Sequence, residues 1–327
     1  MADLGTTYLG LKLPSPIILA SSSLSNRVEN FQVAEQHGAG AVVLRSLFEE
    51  QIEAADAELQ EALAYGSEST QEARSFFPSQ RIGPREYLKL ISDAKRAVKI
   101  PVIGSLNCVA NGSWSNYAKQ IAEAGADAIE VNLYAVQADP AVDGAKVESS
   151  YAEVVGSILD AVNIPVSVKL SPYFSALANF VSRLDHRGAK GFVLFNRFLQ
   201  PDISLERMSL QTAMPPSHPL EALVPLRWIA LLYGRVKADL AASTGVHDVS
   251  GLIKQILAGA TVVQVASILL KNGVTYVSTL RNGLEDWMDR QGHGEVADFR
   301  GSLSQRVMKD PGAFERAQYV HLILSQN

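Results

Sequence analysis

The feature that most constrains this chain is a repeat of pattern: short apolar, β-branched runs alternate with longer amphipathic stretches along almost its whole length. Eight such runs are PIILASS from Pro16, GAVVLRS from Gly40, PVIGSLN from Pro101, DAIEVNLY from Asp127, PVSVKLSP from Pro165, GFVLFNRF from Gly191, ADLAASTG from Ala238 and TVVQVAS from Thr261. Pro or Gly introduces most of them, and segments such as YAKQIAEAG and YAEVVGSILDAV read as helices between them. Strands that are apolar throughout need cover on both faces, which a parallel sheet flanked by helices provides. Eight strand-then-helix units are the number a closed barrel needs, so the expected fold is α/β, a (β/α)8 TIM barrel, as a single domain over residues 1–327. An open doubly wound sheet fits less well, because no G-x-G-x-x-G follows the first run. Two connections are too long for simple turns, at about 47–84 and 199–225, and long βα loops commonly carry function. An extension from about residue 296 is expected to pack outside the barrel.

Composition excludes several classes. The 327 residues are 47% hydrophobic, ample for a large core, and 29 basic against 34 acidic residues leave a formal charge of -5. With no Lys/Arg-dense run to neutralise a row of phosphates, nucleic acid is not an expected partner. The single cysteine, Cys108, rules out an internal disulfide and a Cys-based cluster, which fits a reducing, cytoplasmic compartment. The start MADLGTTYLGLKLPSP does not read as a targeting segment, and no stretch approaches the roughly 18 apolar residues of a membrane span. A soluble protein acting on a small molecule is expected. His37, His186, His218, His247, His293 and His321 show no ligand spacing, so no metal site is expected.

Side chains alternate along a barrel strand between the interior and the helix layer, so parity sorts the polar residues. Ser167, Lys169 and Ser171 share one face of the fifth run, and Val166, Val168 and Leu170 the other. Glu130, Asn132 and Tyr134 likewise oppose Ile129, Val131 and Leu133, and Ser105 pairs in parity with Asn107. A lysine at that depth costs several kcal/mol of desolvation unless it has a partner. Either Lys169 forms a structural ion pair with Glu130 on the adjacent strand, or it serves a ligand. Active sites of this fold lie at the C-terminal ends of the strands, where Arg45, Asn107, Asn132, Lys169, Asn196 and Arg197 fall. The last two strands run through small residues, ASTGVHDVSG and QVASILLKNG, into helices. Such turns can present N–H groups to a phosphate, although tight turns take small residues for steric reasons too.

VSVKLSPYF, the Asn-Leu after the fourth strand, YLGLKLPSPIILASS and GATVVQVAS together resemble the dihydroorotate dehydrogenase family, especially its soluble class. LRSLFEEQI, VLFNRFLQPDISLE, PLRWIALLYGRV, STGVHDV and GLEDWM resemble a divergent dihydroorotate dehydrogenase-like subgroup. The resemblance covers nearly the whole chain and implies an FMN across the barrel mouth, with its phosphate on the turns at Thr244, Gly245, Ala266 and Ser267. It places Lys169 at the flavin N1–C2=O edge, Ala20 and Ser21 along the flavin, Asn107 and Asn132 at flavin or substrate contacts, and Asn196 on the substrate side. Arg45 stands where the soluble class has lysine, a wider planar donor in place of a point charge. The implied catalytic residues are Lys169, Asn132 and Asn196, and the implied setting is pyrimidine biosynthesis. Soluble members are often dimers, and PLRWIALLY reads as either a buried helix face or an interface.

The departures concern activity. The family removes a proton with Cys, or with Ser in its membrane class, as hydride leaves for the flavin. Asn132-Leu133-Tyr134-Ala135-Val136-Gln137 replaces Asn-Leu-Ser-Cys-Pro-Asn, which puts the methyl group of Ala135 at the base position. The orotate-holding Asn motif is not recognisable between Leu47 and Pro84, and PPSHPLE replaces the glycine motif before the sixth helix. Tyr134, Tyr173 and His218 are candidate replacements for the base, although a strand-end tyrosine is more often a packed aromatic and a lone loop histidine more often a surface residue. The leading expectation is an FMN-dependent oxidoreductase acting on a CH–CH bond of dihydroorotate or a related small anionic substrate. The alternatives are a phosphate-binding barrel that uses Lys169 as a Schiff base, and a flavin-binding barrel that has lost its chemistry.

Overall fold

The computed structural model describes residues 2–48, 51, 83–108, 114–198, 200–211, 215–315, 319–320 and 323–325. Eight parallel strands form its centre: β3 (Ile17–Leu19), β4 (Ala41–Val43), β6 (Val102–Cys108), β7 (Ala128–Leu133), β8 (Val166–Leu170), β9 (Gly191–Leu194), β12 (Asp239–Ser243) and β13 (Val262–Val265). They pair in the order β4-β3-β13-β12-β9-β8-β7-β6, and the pairing of β4 with β6 closes the ring. Each coincides with one of the eight apolar runs. A two-residue strand, β5 (Leu47–Phe48), resumes the line of β4 beyond a break and pairs with the far end of β6.

Around the ring lie α1 (Val28–Gln36), α2 (Pro84–Ala97), α3 (Trp114–Glu123), α4 (Gly144–Ala161), α5 (Leu177–Arg187), α6 (Leu223–Leu232), α7 (Val249–Ala258), α8 (Ser267–Asn272) and α9 (Val277–Gln291). Strand residues of one parity, among them Ile129, Val131, Val166, Val168 and Leu170, join the helices in one large apolar layer. In α6, Ile229, Ala230 and Leu232 are buried in that layer, so PLRWIALLY is a buried helix face. Residues of the other parity fill the barrel. Near its N-terminal end these are apolar, Ile18, Val43, Ile103, Ala128, Val193, Ala241 and Val262. The hairpin of β1 (Thr6–Tyr8) and β2 (Leu11–Leu13) plugs that end, adding Tyr8, Leu9 and Leu13 to the same cluster. Its two-residue loop needs positive φ at both positions, 55° at Leu9 and 79° at Gly10, and the Leu9 N–H donates to Asp239 Oδ2 at 2.8 Å.

The long connection after the second strand lies almost wholly outside the described residues, so the family's Asn motif has no counterpart to describe. The connection after β9 contains an antiparallel hairpin, β10 (Asp202–Ser204) and β11 (Ser209–Gln211), then a 3-10 turn over Pro219–Ala222. Beyond residue 296 the chain packs against the helix layer: Val296 and Phe299 are buried, and the N–H groups of Gly301, Leu303 and Gln305 reach carbonyls of Ile256, Leu257 and Ala230. Among the described residues no helix is long and apolar enough to cross a membrane.

Candidate functional site

At the C-terminal end of the barrel the interior turns polar and opens into a cavity of about 570 Å³. The register explains the change. Asn107, Asn132 and Lys169 are successive partners across β6, β7 and β8, and Ser243 on β12 partners Gln264 on β13, so inward positions of several strands form one polar layer. Ala20, Ser21, Arg45, Asn107, Asn132, Lys169, Asn196, Thr244, Gly245, Ala266 and Ser267 all line the cavity. Residues from Ala20 to Ser267 are thus brought to one rim at the strand ends.

Lys169 sits at the floor. Its Nζ is 3.4 Å from Glu130 Oε1 and 3.4 Å from Gln264 Oε1, and Gln264 Nε2 donates to Glu130 Oε2 at 2.6 Å. Lys169 and Glu130 side chains are 8% and 1% exposed. The two readings of this lysine are therefore not exclusive: it pairs with Glu130 below and faces the cavity above. Gln264 went unremarked in the sequence, although it is the lone polar residue of Val262–Val265 and shares parity with inward-facing Val262.

The walls differ in character. Asn196 Nδ2 donates to Asn132 Oδ1 at 3.1 Å, tying the ends of β9 and β7. Ser21, Ser46 and Ser105 form a hydroxyl chain with Oγ separations of 3.3 and 2.8 Å. The buried Tyr87 hydroxyl backs it, donating to the Ser105 carbonyl at 3.0 Å, and burial pushes its pKa up. Arg45 is exposed at the rim, and no described side chain pairs with it. Arg197 Nε donates to Glu221 Oε2 at 3.1 Å and its Nη1 to the Pro215 carbonyl, holding the post-β9 connection over the cavity. Arg45, Lys169 and Arg197 line the cavity, and among its described lining residues there is no carboxylate. Glu130 and Glu221 pair with Lys169 and Arg197 from behind the wall, so among the described lining residues Arg45 is the cation left to favour an anionic occupant.

At the opposite wall, Thr244 and Gly245 both have φ of 78°. The Thr244 hydroxyl donates to the Phe195 carbonyl at 3.0 Å, while a β-carbon at Gly245 would run into the backbone nitrogen of Ala222. The connection reaches this wall through Ser217, whose N–H donates to Ser267 Oγ at 3.0 Å and whose hydroxyl lies 2.9 Å from His247 Nε2. Burial lowers the His247 pKa, so the neutral imidazole is the favoured form. Sequence reasoning missed Ser217, because its contacts lie thirty and fifty residues away along the chain.

Of the three candidate bases, only Tyr134 lines the cavity, with its ring stacked on Phe198 at 4.4 Å. Tyr173 is 65% exposed and reaches Phe198 edge-on and Gln200. His218 is exposed and caps the 3-10 turn, accepting from the Leu220 N–H at 3.2 Å. Neither Tyr173 nor His218 is a lining residue, and Ala135 packs against the apolar layer instead. No described group of three His, Cys, Asp or Glu side chains could hold a metal ion.

A family model described as dihydroorotate dehydrogenase matches residues 79–288. The chain is 26% identical over 309 residues to the dihydroorotate dehydrogenase B (NAD(+)), catalytic subunit, of Thermoplasma acidophilum, covering 92% of this chain and 99% of that one. It is 26% identical over 313 residues to the protein of the same name from Methanothermobacter thermautotrophicus, covering 91% and 97%.

Proposed function

The chain belongs to the dihydroorotate dehydrogenase family, and from that premise we propose that it is an FMN-dependent oxidoreductase acting on a CH–CH bond of a small anionic substrate. The observation that carries the reading is the cavity itself: Arg45, Lys169 and Arg197 converge on it, and its described lining holds no carboxylate. At about 570 Å³ it lies within the roughly 300–1,000 Å³ typical of small-molecule and cofactor sites. The residues fit the cofactor. Gly245, Ala266 and Ser267 line one wall with small side chains that leave room for a bulky anionic group, and Ser243 and Gln264 add polar atoms beside them.

Bound FMN supplies an acceptor for a hydride leaving a substrate carbon. Thr244, Gly245, Ala266 and Ser267 would hold its phosphate, and Ala20 and Ser21 would lie along the ring. Lys169 would place a cation where negative charge develops. Asn107, Asn132 and Asn196 would orient the substrate with amide donors, and Arg45 would draw in its anionic group. The proton lost beside the hydride cannot go to Ala135. Tyr134 is the candidate among the three that stands at the cavity, and the proposal has its hydroxyl relay the proton, taking it up at oxygen as its own proton passes to water. Pairing of Lys169 with Glu130 works against the Schiff-base alternative, which needs an uncharged amine. Assembly as a homodimer in the cytoplasm is part of the same reading.

The test is an anaerobic visible spectrum of the purified protein before and after dihydroorotate is added. Flavin bands that bleach would support the family reaction. Bands that persist would leave a flavoprotein with a different substrate, and a colourless protein that takes up no added FMN would overturn the proposal.

A further inference from the structure

One buried ionisable group is left without a role by this reading. Glu130 lies one layer below the cavity floor, 1% exposed, on the strand next to Lys169. Its two oxygens are not equivalent. Oε2 accepts a 2.6 Å hydrogen bond from Gln264, which reaches across from the opposite wall, whereas Oε1 has no hydrogen-bond donor and faces the Lys169 ammonium at 3.4 Å. A purely structural ion pair at such depth is expected to close to about 2.7–2.9 Å and to saturate its carboxylate. Here both Lys169 contacts are long, 3.4 Å to Glu130 and 3.4 Å to Gln264. The ammonium is held from below by two acceptors, neither of which takes it fully, and its remaining face looks into the cavity.

We infer that Glu130, with Gln264 fixing its orientation, is a positioning residue that sets how much positive charge Lys169 presents to the cofactor. The inference rests on the proposed flavin site. A carboxylate this close offsets part of the lysine field in a low-dielectric floor, so it lowers the stabilisation that Lys169 gives to charge gained by bound FMN on reduction. The loosely held ammonium can rise toward the cofactor as that charge appears and settle back toward Glu130 when it leaves. Glu130 thus keeps the bound cofactor easier to reoxidise than Lys169 alone would leave it. Gln264 supplies the geometry: its amide nitrogen pins Oε2 and its amide oxygen shares the ammonium, so the free oxygen is the one turned toward Lys169.

The experiment is an anaerobic redox titration of the FMN-loaded protein and of Glu130→Gln. The isosteric amide retains an acceptor for Gln264 and removes the charge, so the midpoint potential is expected to move to a more positive value. Glu130→Asp retains the charge but withdraws it by one methylene, and is expected to shift the potential in the same direction by less. This variant decides the matter if Glu130→Gln fails to fold. A structural role alone would change thermal stability and leave the potential in place. FMN-loaded variants with the wild-type potential, or a more negative one, would overturn the inference while leaving the flavin site standing. Failure of the wild-type protein to bind FMN at all would remove both.

Discussion

Removing the Lys169 ammonium, as in Lys169→Met, should destabilise the apoprotein severely, and removing its partner as well should restore most of the loss. At the observed 3.4 Å, and with an effective dielectric constant near 20, the attraction between the two charges is about 5 kcal/mol. Taking both out of water costs several kcal/mol per ion, so the pair as a whole contributes little net stability. Breaking it is different. Lys169→Met leaves a carboxylate that is 1% exposed, with Oε1 lacking both donor and counter-ion, for which a loss of about 3–5 kcal/mol is expected. In Lys169→Met/Glu130→Gln the uncharged amide can still accept from Gln264, and the net change should fall to about 1 kcal/mol or less. The double-mutant cycle should therefore show coupling of at least about 2 kcal/mol, well above the few tenths expected of independent sites. Urea unfolding of the four apoproteins, monitored by far-UV circular dichroism, measures it. Additive losses would refute the assignment of these two residues as a buried pair, as would a Lys169→Met protein as stable as wild type.

Other perturbations probe the remaining walls. Gly245→Ala places a side chain at φ 78° and against the Ala222 backbone, costing about 1–2 kcal/mol from the left-handed backbone alone; it should lower the melting temperature and weaken FMN binding measured by fluorescence titration. Tyr134→Phe retains the ring stacked on Phe198 and removes the hydroxyl, so turnover should fall by about 10²–10⁴-fold with FMN still bound, and unchanged turnover would free Tyr134 of any proton-transfer role. The Asp239 pKa is raised, by burial above all, so the folded state holds its proton to higher pH than the unfolded chain does. The stability this contributes is present below the unfolded pKa and declines as pH rises through the folded value; Asp239→Asn should flatten that decline in acid-range unfolding curves. The His247 pKa is lowered, by burial first, so stability is complete above the unfolded value and falls as pH drops toward the folded one. His247→Gln should remove that acid-side loss, and an unchanged pH profile would show that the imidazole is not held neutral by the fold.

The barrel was legible because a parallel strand covered on both faces must be apolar on one parity throughout, and the polar exceptions on the other parity then point inward. Glu130 and Asn132 fall on the parity opposite Ile129, Lys169 on that opposite Val166, and Asn107 two residues on from Ser105, and the ring closure that brings them together follows from having eight such strands. The same count should have included Gln264, whose position in VVQV was as informative as that of Lys169 in VSVKL, since each is a long polar residue on the inward parity, flanked by apolar residues of the outward one. Parity has no force once the backbone leaves the strand. Tyr134 and Ala135 are neighbours just past the end of β7, yet one lines the cavity and the other packs against the apolar layer. Tyr173 sits two residues beyond a buried strand-end serine and is nonetheless 65% exposed. His218 could be read as a base or as a cap until the turn over Pro219–Ala222 was seen to use its ring as an acceptor. The connection after β9 was recognisable by its length, but its role in closing the site depends on Ser217 meeting Ser267 and His247, contacts set by how the chain folds back rather than by any local period. Chemistry carried on strands is therefore readable from sequence to the residue, and chemistry carried just beyond them only to the loop. In this chain the electrostatic half of the proposed reaction stands on strands and the proton-transfer half does not, which is why Tyr134→Phe tests the weaker step.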